Sequence, residues 1–469
     1  MTDCIRRNLP KKNNVMNMKS TRYILPAIAA LAMLSACGLF KKYSSDVQAP
    51  ENLFGTSEAV SLADDGKCIA DLSYRDFFTD PLLRSLIDTA LVRNVDVAAA
   101  RGMVAQADAY LKSAKLGYLP SLSFNPLFNI TPGMSYAVPV QADWGVQGFG
   151  SITNRLRETK ALVLQSDDNL KNVQSLLVSK IALAYTNLQF LDRELEIMKQ
   201  TESVWTDMVS TQKALMENGK AYSTAVDQLE ASLLGVVVRK MDIEEEIADT
   251  EGAICMLLGK TPQHIRRSVW TDFRMPESIS AGIPAALLER RADVRAAGRA
   301  VEAAYYVTNQ ARSAMFPSLN LSGLVGWTSQ GGAISDPGRL LYNAVLSLAQ
   351  PIFAQGRLRA SLKVARLRQE TAADEYVQTI LEAGNQVNKA LRECSAARQK
   401  DEIYRKQVET LTRAYDGTSE LMRSGKAMYL EVLNAQNTLL DAQIGQAANI
   451  YCGMAGLINA YIALGGGTE

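Results

Sequence analysis

Groups able to do covalent chemistry are scarce in this chain. Its 469 residues include one histidine and six cysteines. His264 lies between Gln263 and Ile265 in a polar connector, with no nucleophile–base or metal-ligand spacing around it. Cys68, Cys255, Cys394 and Cys452 are scattered and form no CxxC pair, so neither a zinc site nor a redox motif is predicted. The last three read as small buried apolar residues and Cys68 as a free thiol. No GxSxG elbow, no HExxH and no phosphate-cradling glycine loop occurs. The 50 basic residues balance 49 acidic ones, so no cationic surplus argues for nucleic acid or for an anionic membrane face. The expectation is a protein without catalysis, cofactor or metal.

Cys37 is the one cysteine whose setting has a chemistry of its own. Ile24 to Ala36 is a short apolar run that follows Lys19 and Arg22 and ends in small residues. That is the anatomy of a secretory signal, and it is shorter than the roughly 18–20 residues needed to span a bilayer. Leu34-Ser35-Ala36-Cys37 resembles the bacterial lipobox, which implies that Cys37 is acylated and becomes the mature N-terminus. Gly38 in place of Asp at the next position favours, by the same resemblance, the outer membrane. Residues 1–36 therefore read as a removed signal, with Met16 or Met18 as the true start, and 37–80 as a lipid-anchored N-terminal segment.

The rest of the chain is predicted to be mostly helix. All 14 prolines lie outside Val140–Thr261 and Ile352–Glu469. An interior proline costs a helix about 3 kcal/mol, so such exclusions predict long helices. Leu156, Val163, Leu170, Leu177, Ala184, Leu191, Met198 and Trp205 recur every seventh residue, with Ile181, Leu188 and Leu195 as a second column. That is a coiled-coil seam. A helix from Asn154 to Asn218 would be about 100 Å long, a rod or the wall of a tube.

The chain also repeats itself. Asp96-Val97 to Pro120 matches Asp293-Val294 to Pro317 at an offset of 197. Leu215 to Ala221 matches Leu421 to Ala427 at 206, as do Leu258-Gly259 and Leu464-Gly465. One duplicated unit is expected: repeat 1 over 81–260, a connector over 261–284 and repeat 2 over 285–469. Gly219 and Gly425 each end one long helix ahead of another, as a turn needing positive φ would.

Where the two offsets disagree, the pattern has period two. Leu122, Phe124, Phe128 and Ile130 alternate with polar residues, as do Tyr136, Val138, Val140 and Trp144; Leu319, Leu321, Val325 and Trp327 precede Tyr342, Ala344, Leu346 and Leu348. Hairpins over about 121–145 and 318–350 are predicted as membrane strands. Four strands cannot close a barrel, and open edges are not tolerated in hydrocarbon, so other copies must complete it.

These features together resemble the TolC-like outer-membrane efflux proteins, in particular the NodT-type lipid-anchored factors. The most specific stretches are Phe77–Val97, Gly282–Ala297, Phe316–Gly326 and Gln350–Ala360. Two positions depart from the family pattern: Ala292 stands where an Arg-Arg-Pro-Asp proline is usual, and Tyr74 where a tryptophan is. The resemblance implies a mainly α fold with a membrane β portion. Its duplicated unit of coiled-coil helices and β-hairpins assembles as a homotrimer with a 12-stranded β-barrel joined to a periplasmic α-helical barrel. It implies a passive conduit in the outer membrane and its lipid, in a tripartite pump with a periplasmic adaptor and an inner-membrane RND-type transporter, exporting drugs or other small toxic compounds. The adaptor would meet Leu215, Met216, Gly219, Lys220 and Ala221 in one turn, and Leu421, Met422, Gly425, Lys426 and Ala427 in the other. Glu431, and Asn434 three residues on, would narrow the periplasmic entrance. A type I protein-secretion channel and a lipid-anchored periplasmic adaptor stay as alternatives, the second poorly matched by a tandem duplication.

Overall fold

The computed structural model describes residues 41–44, 60–61, 69–129, 135–146, 150–269, 279–280, 290–330 and 339–467. The signal, Cys37 and Cys68 lie outside them. In chain order the elements are β1 (Val60–Ser61), α1 (Tyr74–Phe77), α2 (Pro81–Arg93), α3 (Val95–Leu116), β2 (Ser121–Phe124), β3 (Leu127–Asn129), β4 (Ser135–Val146), α4 (Ser151–Glu217), α5 (Ser223–Leu257), β5 (Ile279–Ser280), α6 (Ala292–Ser313), β6 (Ser318–Gln330), β7 (Arg339–Ala349), α7 (Arg357–Arg423) and α8 (Tyr429–Ala463). The duplication is visible in the lengths. Helices α4 and α7 have 67 residues each, α5 and α8 have 35 each, and α3 and α6 have 22 each. Helix α4 starts three residues before the predicted Asn154.

Two compact units cut across both repeats. One comprises Met1–Ser44, Ser113–Glu158 and Ala304–Leu367; the other comprises Ser45–Lys112, Thr159–Ala303 and Arg368–Glu469. In the first, β2 and β3 both pair with β4, β4 pairs with β6, and β6 with β7, all antiparallel. Both hairpins thus belong to one sheet. Among the described residues, its β2/β3 edge and its β7 edge are open.

The described residues of the second unit are helical, apart from the short parallel pair β1–β5. Its packing follows the heptads: Leu177, Ile181, Leu188, Leu191, Met198 and Trp205 are buried. One core joins α1 and α2 to α4 and α5 through Tyr74, Phe78, Ile87, Val178, Tyr185 and Ile254. Another gathers Trp205 and Val209 of α4, Leu229 and Val236 of α5, and Leu433 and Leu440 of α8.

Polar groups close the helix ends. The Asp80 carboxylate accepts from Leu82 N at 2.8 Å, capping α2, with Pro81 at its first position. Tyr185 donates to the same carboxylate at 2.6 Å, and the Ser268 hydroxyl also donates to it, tying the connector to α2 and α4. Burial raises the Asp80 pKa, but hydrogen bonds from Ser268, Tyr185 and two backbone amides outweigh it and hold the carboxyl below its usual range. Arg267 forks onto Asp192 and also binds Glu251, which His264 Nδ1 meets at 2.9 Å. The lone histidine is therefore part of a connector clamp.

The duplication extends to single hydrogen bonds. Asn94 Nδ2 donates to Leu257 O at 3.0 Å, near the end of α5. Arg291 Nη1 donates to Ala463 O at 3.0 Å, the matching carbonyl of α8. Ala292, in place of the family's proline, occupies the first position of α6, where proline's fixed φ is useful but not required.

One expectation is corrected. Cys255 and Cys394 are buried, but Cys452 is exposed. In α8 the buried neighbour is Gly453, and Tyr451 turns to stack on Phe190 at 5.3 Å, which leaves Cys452 on the outer face of the helix.

Candidate functional site

Two helix turns carry the most specific residues. After α4, Gly219 N donates to Met216 O at 2.9 Å and Lys220 N to Leu215 O at 2.8 Å. After α7, Gly425 N donates to Met422 O at 2.9 Å and Lys426 N to Leu421 O at 2.8 Å. This is the paired 5→2 and 6→1 closure of a helix by a left-handed residue. Gly219 has φ +69 and Gly425 has φ +74, and a Cβ on either would meet nothing within 4 Å. Backbone conformation, not space, therefore calls for glycine at both; a side chain in that region costs about 1–2 kcal/mol.

Leu215, Gly219, Lys220, Leu421, Gly425 and Lys426 are exposed, while Met216, Ala221, Met422 and Ala427 are half-buried. The motifs did not include the residue after each alanine. Tyr222 and Met428 are the N-caps of α5 and α8, neither makes a side-chain cap bond, and both are well exposed. An N-cap is ordinarily a small polar residue. The same repeat register that paired the glycines also pairs these two.

Glu431 and Asn434 lie on the first turns of α8, three apart on one exposed face. No ion pair among the described residues involves Glu431. Its place in the first turn suits the positive end of the helix dipole. Two residues before it, Tyr429 OH donates to Gln228 Oε1 of α5 at 2.7 Å, a link between the two helical hairpins with no counterpart in the motifs.

The sheet has one apolar face. The register aligns Leu122 with Ala142, Phe124 with Val140, and Phe128 with Tyr136. It aligns Val138 with Trp327, Val140 with Val325, and Trp144 with Leu321. It aligns Leu319 with Leu348, Leu321 with Leu346, Val325 with Tyr342, and Trp327 with Leu340. All of these side chains share one face, as alternation across paired strands requires. The opposite face carries Ser123, Gln141, Asp143, Asn320, Ser322, Asn343 and Ser347, and Ser322 donates to Asp143 at 2.7 Å. Every residue of β7 is exposed. An apolar face with aromatic residues at both strand ends, backed by a polar one, is the pattern of a lipid-facing barrel wall. Pro139 sits within β4 opposite Gly326, where a Cβ would collide with Val138 O.

A family model for "Outer membrane efflux protein" matches residues 86–260 and 283–451. The chain is 26% identical over 458 residues to the "Cation efflux system protein CusC" of Escherichia coli strain K12, covering 95% of this chain and 99% of that one. It is 25% identical over 411 residues to the "Probable outer membrane lipoprotein SilC" of Salmonella typhimurium, covering 85% and 88%. Among solved structures, the outer-membrane channel OprN superposes with a TM-score of 0.82 at 22% identity, covering 91% of this chain and 99% of that one.

Proposed function

The chain belongs to the outer membrane efflux protein family, and we propose that three copies of it close a 12-stranded barrel that passes small toxic compounds out of the cell. It is an outer-membrane efflux channel and not an enzyme. The observation that carries the trimer is the sheet itself: four positions across, apolar on one face and open at both edges. In hydrocarbon those edges must be paired. Eight strands would give a barrel filled by its own side chains, whereas twelve leave a lumen.

The helical unit supports the same assembly through its duplication. Within the chain, Phe190 of α4 stacks on Tyr451 of α8. One heptad along that antiparallel pairing brings Ile197, which is buried, to Ile444, which packs in the same core. Their repeat counterparts are Ile403 of α7 and Val238 of α5. Both counterparts are bare, at 66% and 58% exposure. The contact that the chain satisfies internally once is left open a second time, as a head-to-tail interface that closes a ring requires. Oxidation of a Val238→Cys, Ile403→Cys double variant is expected to give dimer and trimer bands on a non-reducing gel, with neither single variant doing so. Monomer alone from the double variant contradicts the pairing.

The turns around Gly219 and Gly425 are read as the ends that meet a periplasmic adaptor, with an inner-membrane RND-type transporter beyond it. Their exposed leucines, lysines, Tyr222 and Met428 offer an apolar, weakly cationic surface. Three copies of Glu431, with Asn434, would line the entrance. CusC's name concerns cations, and a carboxylate ring would favour cations here too. Drug efflux is preferred to protein secretion because the relatives are efflux components. Cys37 is read as the acylated N-terminus, in keeping with SilC's name as a lipoprotein. A radiolabelled fatty acid fed to cells should mark the wild type and not Cys37→Ser; unlabelled wild type at the outer membrane contradicts the anchor.

A further inference from the structure

A net charge of only +1 conceals a strong separation of charge. In the unit that holds the sheet, the described residues include eleven Lys or Arg and two acids, Asp143 and Glu158. Asp143 accepts from Gln141 and Ser322 on the polar face, and Glu158 accepts from Gln310 at 2.6 Å. A neighbouring copy brings the same imbalance, so this unit's charge is not neutralised by its own kind.

The surplus is also placed. Every strand end that connects to a helix lies at one rim of the sheet, where Ser121 pairs with Asp143 and Ser318 with Ala349. Just past that rim, the first turns of α7 carry Arg357, Arg359, Lys363 and Arg366, all exposed and in no ion pair among the described residues. The first turn of α7 holds no acid. Two of these cations therefore stand where the helix dipole disfavours them, a local rule broken without an internal compensation. Between β7 and this cluster, Ile352 and Phe353 are 97% and 85% exposed.

We propose that this rim is a docking surface for anionic phospholipid headgroups of the leaflet on the helix side of the membrane. Ile352 and Phe353 enter the acyl boundary, and Arg357, Arg359, Lys363 and Arg366 hold the phosphates. The inference rests on the reading that the apolar face of the sheet meets hydrocarbon. Guanidinium groups match phosphate oxygens in a fork geometry, and juxtamembrane basic clusters of four or more attract anionic lipid.

The test is native mass spectrometry of the purified full-length protein, titrated in detergent with phosphatidylglycerol or with phosphatidylcholine. Wild type is expected to retain phosphatidylglycerol about tenfold better at equal concentration, a preference that fades in high salt. A variant with Arg357, Arg359, Lys363 and Arg366 all changed to Gln should lose the preference. A control with Lys389, Arg392, Lys400 and Lys406 changed to Gln, on the same helix outside this unit, should keep it. Equal retention of the two lipids by wild type overturns the proposal, as does an unchanged preference in the rim variant. So does a rim variant that alters the ion selectivity of the pore while its lipid preference stands, since the cations would then line the lumen. Conductance of the wild-type channel is read separately, so a failed lipid preference leaves the channel reading intact.

Discussion

Glu431 shows how a residue's role depends on copies of itself. In a single chain it is an exposed glutamate that suits its helix dipole. Three copies around an axis would repel by about 1 kcal/mol per pair at 4 Å in bulk water and about 4 kcal/mol at an effective dielectric of 20. That scale matters to a gate and not to the fold. Glu431→Ala should therefore assemble normally while conductance and cation preference change, and block by multivalent cations from the periplasmic side should weaken. Glu409 is the control, because it is exposed and paired with Arg413 at 2.6 Å in mid-helix. Bilayer recordings of Glu431→Ala that match wild type would reduce this glutamate to a solvated helix residue. At this scale the turn glycines were legible, since a repeat in register exposes positions that need positive φ. The Tyr429–Gln228 bond was not: it joins residues 201 apart through side chains that no local pattern marks.

Among the elements, helices read more fully than strands. Proline exclusion and heptads gave α4 to within a turn, because both signals are local to one helix. The alternation also located the strands, but the pairing of β4 with β6 depends on residues almost 200 positions apart, and no turn sequence encodes it. The same pairing explains an oddity inside β4. Pro139 can donate no hydrogen bond, and opposite it Gly326 lets the backbones approach. Gly326→Val forces a Cβ onto Val138 O and should destabilise the sheet by about 1–3 kcal/mol, read as a lower midpoint of thermal dissociation in detergent. Gly323→Ala is the matched control, since its Cβ would lie 4.0 Å from Ala142 O in ordinary contact. Equal midpoints for the two variants would contradict the close approach.

The whole molecule depends on what one chain leaves unfinished. Its sheet has two open edges, and its duplicated contact is satisfied once and bare once. Its net charge is only +1, yet the charge is sorted by unit, which a sum over 469 residues cannot reveal. Duplication was the part of the architecture most legible in the sequence, because a register kept over long stretches survives divergence of side chains. The faces left for other copies became visible only when each repeat position could be compared with its counterpart for burial. The most direct test of this assembly is the native mass of the purified mature protein in a mild detergent. A single species of three subunits is expected; a well-folded monomer of one subunit would contradict the trimer.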